Sequence, residues 1–292
     1  MGDRERLMAD YTNDLDILRG WVGRTEEHTE TMSADRGSRL AHTLDAEGEV
    51  ADGDAMAPLW HFIAHSSSVR LSELGRDGHP LRGGFLPPVA LPRRMWAGGR
   101  FTFHGDIHFG EVVAKRSTIA GVEMKHGRTG ALAFVTVDHE LRVGEELRLS
   151  ETQDLVFRGD PNPDAVPPEP KPAPDRYDFA RTITPSEVML FRYSALTFNG
   201  HRIHYDRNYA RDVEGYPGLV FHGPLTATLL AELAVINGGR GLGTFSFRGM
   251  APLFDDAPFT IAGTQTGDTL DLWAATPNGG LAMSATAELT GD

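Results

Sequence analysis

One apolar helix constrains the fold of this 292-residue chain more than any other segment. The helix runs from Leu225 to Ile236, and apolar side chains occupy nearly its whole circumference. Such a helix cannot lie on a surface and must be buried on almost every side. Pro224 suits the first helical position, and Asn237-Gly238-Gly239 provides a left-handed stop. The chain must therefore supply a layer that wraps around this helix.

Strand-like segments on both sides of the helix can supply that layer. They are rich in β-branched and aromatic residues and are separated by glycine-bearing turns, a pattern typical of antiparallel meanders. The predicted strands cover residues 24–32, 101–104, 111–123, 131–141, 146–157, 177–183, 243–250, 259–266, 269–276 and 280–289. Further predictions are helices at 14–21 and 33–44, a short buried strand at 58–64, a long ordered loop at 71–99, and a helix capped by Thr184 with Glu187 completing the capping box.

A proline-rich segment divides the chain. Residues 160–174 contain seven prolines, and such a sequence prefers extended polyproline II and acts as a semi-rigid spacer. We therefore predict an N-terminal domain at 1–159, a linker at 160–175 and a C-terminal domain at 176–292.

Composition excludes several functions. Lys and Arg total 28 against 41 Asp and Glu, a net charge of −13, which argues against a general nucleic-acid binder. The chain has no cysteine, so it has neither disulfides nor thiolate chemistry. No apolar run approaches the roughly eighteen residues of a membrane span, and the charged N-terminus lacks the apolar core of a secretory signal. We expect a cytoplasmic protein with no membrane partner, for which a homodimer is compatible with the sequence.

A polar loop precedes the apolar helix. Between Phe198 and Asp206 the chain places Asn199, His201, Arg202, His204 and Tyr205. Asn199 and Gly200 both tolerate turn geometry, so the segment is predicted to be an irregular loop. Loops on a rigid scaffold are where reactive side chains usually lie. His222-Gly223 follows at the start of the helix, where backbone N–H groups are free.

This pattern resembles the MaoC-like, (R)-specific enoyl-CoA hydratases and dehydratases. Their signature Ser-Gly-Asp-x-Asn-Pro-x-His places its Asp on Asn199, its Asn on His201, its Pro on Arg202 and its His on His204, and a later His-Gly falls on His222 and Gly223. The resemblance is strongest to the double-hotdog branch with Asn-Gly-His-Arg-Ile-His, which includes hydratases of mesaconyl-type and itaconyl-type CoA thioesters, and it extends through residues 82–89 and 93–99. Asn199 stands where the broad family has an acidic residue.

The resemblance implies an α+β double hotdog, with two antiparallel sheets each wrapped on a central helix. In the C-terminal half the meander and the apolar helix show this pattern directly. In the N-terminal half the helix at 33–44 is short and polar, so the duplication there is inferred mainly from the resemblance. We expect the C-terminal hotdog to be catalytic and the degenerate N-terminal one to shape the acyl pocket.

Three residues are the candidate catalytic groups. His204 is the natural proton carrier, since an imidazole can accept and return a proton near neutral pH. Asn199 cannot act as a base but can orient a water molecule, or it forms a turn only. Gly223 offers a backbone N–H to the thioester oxygen, or it is a glycine required for tight packing.

Substrate contacts are assigned to four further residues, which are Arg202, His222, Arg93 and Tyr205. A substrate carboxylate would need a cationic partner, for which Arg202 is the first candidate and Arg93 the second. A salt bridge from Arg202 to Asp206 is the alternative, and Asp206 is expected to cap the turn after it. His201 and His204 lack a third ligand at metal-site spacing, so no metal is expected.

The resemblance implies a hydro-lyase that reversibly hydrates a short-chain, carboxylated or branched enoyl-CoA thioester of the mesaconyl-C4-CoA or itaconyl-CoA type. CoA is part of the substrate, and no other cofactor is expected. The alternative is a non-catalytic acyl-CoA-binding protein that keeps the hotdog scaffold.

Overall fold

The computed structural model describes residues 11–66, 68–127, 130–160 and 169–291. Ten antiparallel strands form one continuous sheet in the order β1-β3-β4-β5-β2-β7-β10-β9-β8-β6. Their bounds are β1 Thr25–Thr31, β2 Arg93–Phe103, β3 Val112–Gly127, β4 Gly130–Val143, β5 Glu146–Arg158, β6 Phe179–Ile183, β7 Leu242–Gly249, β8 Phe259–Thr266, β9 Thr269–Ala275 and β10 Leu281–Leu289.

The sheet contains the same strand order twice. Each half contributes five strands. Counted from the outer edge inwards, the order is β1-β3-β4-β5-β2 in the N-terminal half and β6-β8-β9-β10-β7 in the C-terminal half. The innermost strands, β2 and β7, pair at the centre of the sheet. Phe101 lies opposite Phe245 in that pairing. The predicted pair of separate sheets is therefore wrong in one respect, because backbone hydrogen bonds between β2 and β7 join the halves into a single sheet.

Within the described residues, four α-helices accompany the sheet: α1 Leu15–Arg19, α2 Ala34–Thr43, α3 Glu187–Leu196 and α4 Gly223–Gly238. Helix α4 packs against β7 to β10, and its side chains from Leu225 to Ala231 are all buried. Gly239 ends it with a φ of 68°. The prediction of a helix buried on nearly every side is confirmed, since the surrounding strands remove its apolar surface from water.

Two predictions upstream of β3 are wrong. The predicted strand at 58–64 is a 3₁₀ helix, Trp60–Ile63, because Leu59 adopts a left-handed backbone with a φ of 67° that no strand accommodates. Strand β2 begins at Arg93, not at Phe101. Its glycines suggested a loop, but they permit close pairing with β7, since a Cβ at Gly98 would lie 2.7 Å from the carbonyl oxygen of Phe247.

The start of α3 also differs from the prediction. Ser186 is the N-cap in place of Thr184, and its hydroxyl accepts a hydrogen bond from the backbone N–H of Met189 at 3.1 Å. Glu187 is consequently the first helical residue and completes no capping box.

Half of the predicted linker at 160–175, residues 161–168, lies outside the described residues. Its last part packs on the β9–β10 turn, where the N–H of Leu281 donates to the carbonyl of Lys171 at 2.6 Å. The domain division stays a prediction. In the described part of the chain, no helix is both long and apolar enough to cross a bilayer.

Candidate active site

A cleft of ≈ 2800 Å³ is lined by residues of both halves of the sheet. Most of the polar loop at 198–206 lines this cleft, together with the segment around His79 and the start of β2. Gly223, at the start of α4, also faces this cleft. The fold therefore brings the N-terminus of the buried helix and the polar loop into one site.

The polar loop is held against a turn from the N-terminal half. A Cβ at Gly78 would lie 1.9 Å from the carbonyl oxygen of Gly200, so the two backbones approach at a distance that only glycine permits at position 78. The N–H of Arg202 donates to the carbonyl of Asp77 at 2.9 Å. Within the loop, the Asn199 side-chain oxygen accepts from the N–H of His201 at 3.0 Å. Asn199 thus forms the turn, one of its two predicted roles.

His204 is oriented by a backbone carbonyl. Its Nδ1–H donates to the carbonyl oxygen of Val220 at 2.7 Å, which fixes the tautomer because a carbonyl only accepts. In the neutral ring Nε2 then carries the lone pair, and no described residue bonds to it. Burial lowers the pKa of His204 to about 4, against the opposing effect of the Val220 bond. His204 is therefore a neutral imidazole at pH 7 with a free acceptor nitrogen, the state that a general base requires.

His222 lies behind His204. The two rings are stacked with centroids 3.6 Å apart and planes inclined by 17°. His222 is fully buried, shares a 2.9 Å hydrogen bond between Nε2 and the Ser194 hydroxyl, and is not among the residues that line the cleft. Burial lowers its pKa well below the usual value. His222 was predicted to contact substrate. In the structure it packs behind the His204 ring and supports that ring instead.

Sequence reasoning missed the next histidine. The His79 ring lies 4.2 Å from the ring of His201, which in turn lies 5.4 Å from the ring of His204. His79 Nδ1–H donates to Asp77 Oδ2 at 3.0 Å. Burial and the charge of Arg94 lower the pKa of His79 to about 4, although Asp77 acts in the opposite direction. A polar Asp-Gly-His turn inside a long loop was the available indication, because long ordered loops are commonly functional.

Asp77, His79 and His201 also form a potential ligand set, because ligand atoms of the three lie within 4.8 Å of one another. Such a set could suit a divalent transition metal. However, the charge of Arg94 lowers the pKa of all three groups, so the guanidinium is close enough to repel a cation. We assign no metal here, and its absence stays a prediction.

Gly223 has open space on its side-chain face. A Cβ built there would meet no heavy atom within 4 Å, so packing does not require glycine at this position. The residue is the first of α4 and lines the cleft. A helix N-terminus presents free N–H donors and a positive dipole end. The geometry favours an anion-stabilising position over the packing role that the sequence left open.

The predicted carboxylate partners are each engaged within the protein. Arg202 pairs with Asp206 at 2.7 Å and lies 4.2 Å above the Tyr209 ring. Asp206 also accepts from the N–H of Tyr209 at 3.0 Å, so its predicted capping role is confirmed. Tyr205 lines the cleft, is 48% exposed, and donates its hydroxyl to the carbonyl of Gly200 at 3.0 Å.

Two consecutive arginines at the start of β2 have different surroundings. Arg93 is buried, pairs with the Glu214 carboxylate, and lies 5.3 Å from the Tyr216 ring. Arg94 also lines the cleft, but its guanidinium has no hydrogen bond or ion pair with any residue that the structure describes. Burial lowers the pKa of Arg94 to about 10, while the charge of Asp77 acts in the opposite direction. Sequence reasoning did not separate these two residues.

The cleft extends to a second polar cluster in the N-terminal half. His61 Nε2 lies 3.2 Å from Glu151 Oε2, and His139 Nδ1 lies 2.8 Å from the Ser117 hydroxyl. All four residues are buried. Although burial raises the pKa of Glu151, the charge of His139 and the hydrogen bond from His61 dominate and lower it to about 2.

Comparison with known proteins identifies relatives over most of the chain. The profile of the family hydroxyacyl-thioester dehydratase type 2 matches residues 59–255. A mesaconyl-C(4)-CoA hydratase of Chloroflexus aurantiacus is 46% identical over 274 residues, covering 93% of this chain and 97% of the relative.

Solved structures show the same fold at low identity. A MaoC-like dehydratase of Phytophthora capsici aligns with a TM-score of 0.69 at 13% identity, covering 96% of this chain and 98% of that one. A Mycobacterium tuberculosis protein described as having a double hotdog fold aligns with a TM-score of 0.53 at 11% identity, covering 92% and 96%. The double-hotdog prediction is thereby confirmed at the level of the fold.

Proposed function

Because the chain belongs to the hydroxyacyl-thioester dehydratase type 2 family, we propose that it reversibly hydrates a short-chain enoyl-CoA thioester with a carboxylated or branched acyl group, of the mesaconyl-C4-CoA or itaconyl-CoA type. The membership confirms the predicted hydro-lyase class. The relative that is 46% identical is named for mesaconyl-C(4)-CoA, and this name supports the substrate class.

His204 is the proposed acid and base. Its free Nε2 takes a proton from water while the water oxygen bonds to Cβ of the enoyl group. The electron pair of the C=C bond moves onto the thioester, and the resulting imidazolium returns the proton to Cα, so that one water is added and the enzyme is unchanged. The fixed tautomer of His204, with Nε2 unoccupied, is the single observation that carries this proposal.

The enolate-like thioester oxygen needs a donor during this reaction. We assign that role to the N–H of Gly223, because it is the first residue of α4, lines the cleft and has open space beside it. A backbone donor at a helix N-terminus requires no reorganisation when negative charge develops.

Asn199 is the proposed support for the attacking water. Its side-chain oxygen is engaged by the N–H of His201, and no described residue bonds to its amide nitrogen. The amide can therefore donate to a water oxygen while His204 accepts a proton of the same water. Tyr205 forms part of the cleft wall, and CoA enters as part of the substrate without a further cofactor.

The test is an assay of the purified protein with crotonyl-CoA, mesaconyl-C4-CoA and itaconyl-CoA, following the loss of enoyl-thioester absorbance. We expect turnover of at least one carboxylated ester. A folded protein that turns over none of the three would contradict the proposal, and binding of the esters without turnover would identify an acyl-CoA-binding protein instead.

A further inference from the structure

We propose that Arg94 binds the free carboxylate of the acyl group and thereby selects dicarboxylic enoyl-CoA thioesters. This inference rests on the proposed function. CoA esterifies only one carboxyl group of a dicarboxylic acid, so a substrate such as mesaconyl-C4-CoA brings one negative charge into the cleft next to the reacting carbons.

The first step of the argument is the contrast between neighbouring arginines. Arg93 has its charge balanced by Glu214, and its guanidinium also donates to the Glu214 carbonyl at 3.2 Å. Arg94 has no comparable partner among the described residues, although it carries the same charge. The first candidate for this role, Arg202, is likewise occupied by Asp206.

The second step is the free-energy cost of keeping the Arg94 guanidinium charged without such a partner. Arg94 is half-buried, and its pKa is lowered to about 10 because burial disfavours the charged form. A partly desolvated cation without a hydrogen-bonded partner is costly, and proteins rarely retain one without a compensating group. Arg248, another cleft arginine with no ion pair among the described residues, is exposed, so water can solvate its charge.

The third step is the position of Arg94 beside the imidazole cluster. Arg94 lines the same cleft as His79 and His201, and its charge acts on both rings, so it lies near this imidazole cluster. The charge of Asp77 favours the charged form of Arg94 from a distance, but no described hydrogen bond or ion pair joins the two side chains, and Asp77 Oδ2 accepts from His79 instead. The phosphates of CoA are separated from the thioester by the pantetheine arm, so the acyl carboxylate is the anion that reaches this point.

The geometry of the guanidinium suits such a ligand. Its planar fork of donors can bind both oxygens of a carboxylate at once, which a lysine cannot reproduce. Binding would give Arg94 the counter-ion that the protein does not provide, so an ester without a carboxylate leaves the cation unpaired. Discrimination between the two kinds of ester follows from that difference.

The test compares mesaconyl-C4-CoA with crotonyl-CoA in the wild type, Arg94→Gln, Arg94→Lys and the control Arg248→Gln. We expect Arg94→Gln to lower kcat/KM for mesaconyl-C4-CoA by about 30-fold or more, as for loss of one member of a buried charge pair, and to lower that for crotonyl-CoA by less than tenfold. Arg94→Lys should restore part of the preference. Arg248→Gln should change both esters by the same factor.

The stability of the variants can be followed separately from their activity, because replacing the Arg94 side chain breaks no hydrogen bond or ion pair with a described residue. We expect the Tm of Arg94→Gln to equal or exceed that of the wild type. If Arg94→Gln lowers kcat/KM for both esters equally, the inference is wrong while the proposed function stands. If the folded wild type hydrates neither of these esters nor itaconyl-CoA, the proposed function itself is wrong. If the Arg94 variants do not fold, the wild type alone provides the test. Equal kcat/KM of the wild type for the two esters would then overturn the inference.

Discussion

The two halves of the sheet share a strand order but differ in the helix that each one surrounds. Helix α2 has 10 residues and an amphipathic sequence, whereas α4 has 16 residues and is apolar. Gly37 in α2 is packed so closely that a Cβ would lie 2.6 Å from Phe109 Cε1, while Gly223 in α4 faces open space. Equal topology therefore does not imply equal chemistry, because only α4 presents a glycine N-terminus to the cleft.

The buried histidines of the two halves differ in the same way. In the C-terminal half, His204 uses Nδ1 for a backbone carbonyl and keeps Nε2 free. In the N-terminal half, His61 uses Nε2 for the buried carboxylate of Glu151. A histidine whose Nε2 is committed to an internal carboxylate stabilises the fold, whereas one with a free Nε2 beside a cleft can exchange protons with a ligand.

The largest expected effect is that of substituting His204, for which the buried His61 of the N-terminal half is the control. His204→Gln should lower kcat by about 10²- to 10⁴-fold, the usual range for a general acid–base, with little change in Tm. His61→Gln should leave kcat within a few-fold of the wild type and lower Tm, because Glu151 loses a buried partner. Steady-state kinetics and thermal unfolding of both variants are the measurements. If His61→Gln lowered kcat strongly and His204→Gln did not, the catalytic histidine would lie in the N-terminal half.

The ion pair between the halves gives the second prediction. Arg93 on β2 pairs with Glu214 of the C-terminal half, and both side chains are buried. Arg93→Leu should lower the free energy of unfolding by about 3–5 kcal/mol, since it leaves a buried carboxylate unpaired. Urea unfolding measures this loss, and Arg202→Leu, which breaks a more exposed pair, is the control with a smaller expected loss. Equal losses would show that burial does not decide the strength of these pairs.

The helix glycines provide the third prediction. Gly223→Ala should fold normally, because its Cβ meets no atom, but its methyl group should displace the bound thioester and lower kcat/KM by about a hundredfold. Gly37→Ala should instead cost about 1–3 kcal/mol of stability by overpacking against Phe109, with kcat unchanged. Kinetics and Tm separate the two outcomes. Normal turnover by Gly223→Ala would remove this residue from the site.

The smallest expected effect is the pH dependence of stability. Burial lowers the pKa of His204 and of His139 to about 4, below the value near 6.5 of an unfolded histidine. Between these values the unfolded chain binds more protons than the folded one, so stability should fall as the pH drops from about 6.5 towards 4. Tm measured at pH 7 and pH 5 tests this, and His139→Gln should reduce the difference. An unchanged difference would mean that His139 does not titrate in this range.

The catalytic activity should also depend on the protonation of His204 and therefore on pH. His204 acts as a base only when neutral, and its lowered pKa keeps it neutral well below pH 6.5. The acid limb of kcat/KM should therefore lie near pH 4, and circular dichroism at each pH separates this limb from acid unfolding. A limb near 6.5 would indicate a solvated histidine instead.

The apolar helix, the strands that surround it and the polar loop at 198–206 were predictable from sequence, because each depends on local residue patterns. Six of the strand predictions end within one residue of the observed bounds at 25–31, 146–158, 242–249, 259–266, 269–275 and 281–289. Glycines that serve close strand pairing were taken for loop residues, so the start of β2 was missed.

The site was predictable only where its residues are neighbours in the chain. His204 and Gly223 follow from the motif, but the approach of Asp77 and His79 depends on how the two halves pack. The difference between Arg93 and Arg94 depends on which one reaches Glu214, and adjacent identical residues contain no local indication of that.

The most direct test of the division between the halves is a crystal structure with a bound, unreactive CoA thioester. We predict the thioester oxygen about 3 Å from the N–H of Gly223, the acyl carbons next to His204 Nε2, and an acyl carboxylate on Arg94. A thioester seated instead at His61 and Glu151, away from the start of α4, would contradict the account.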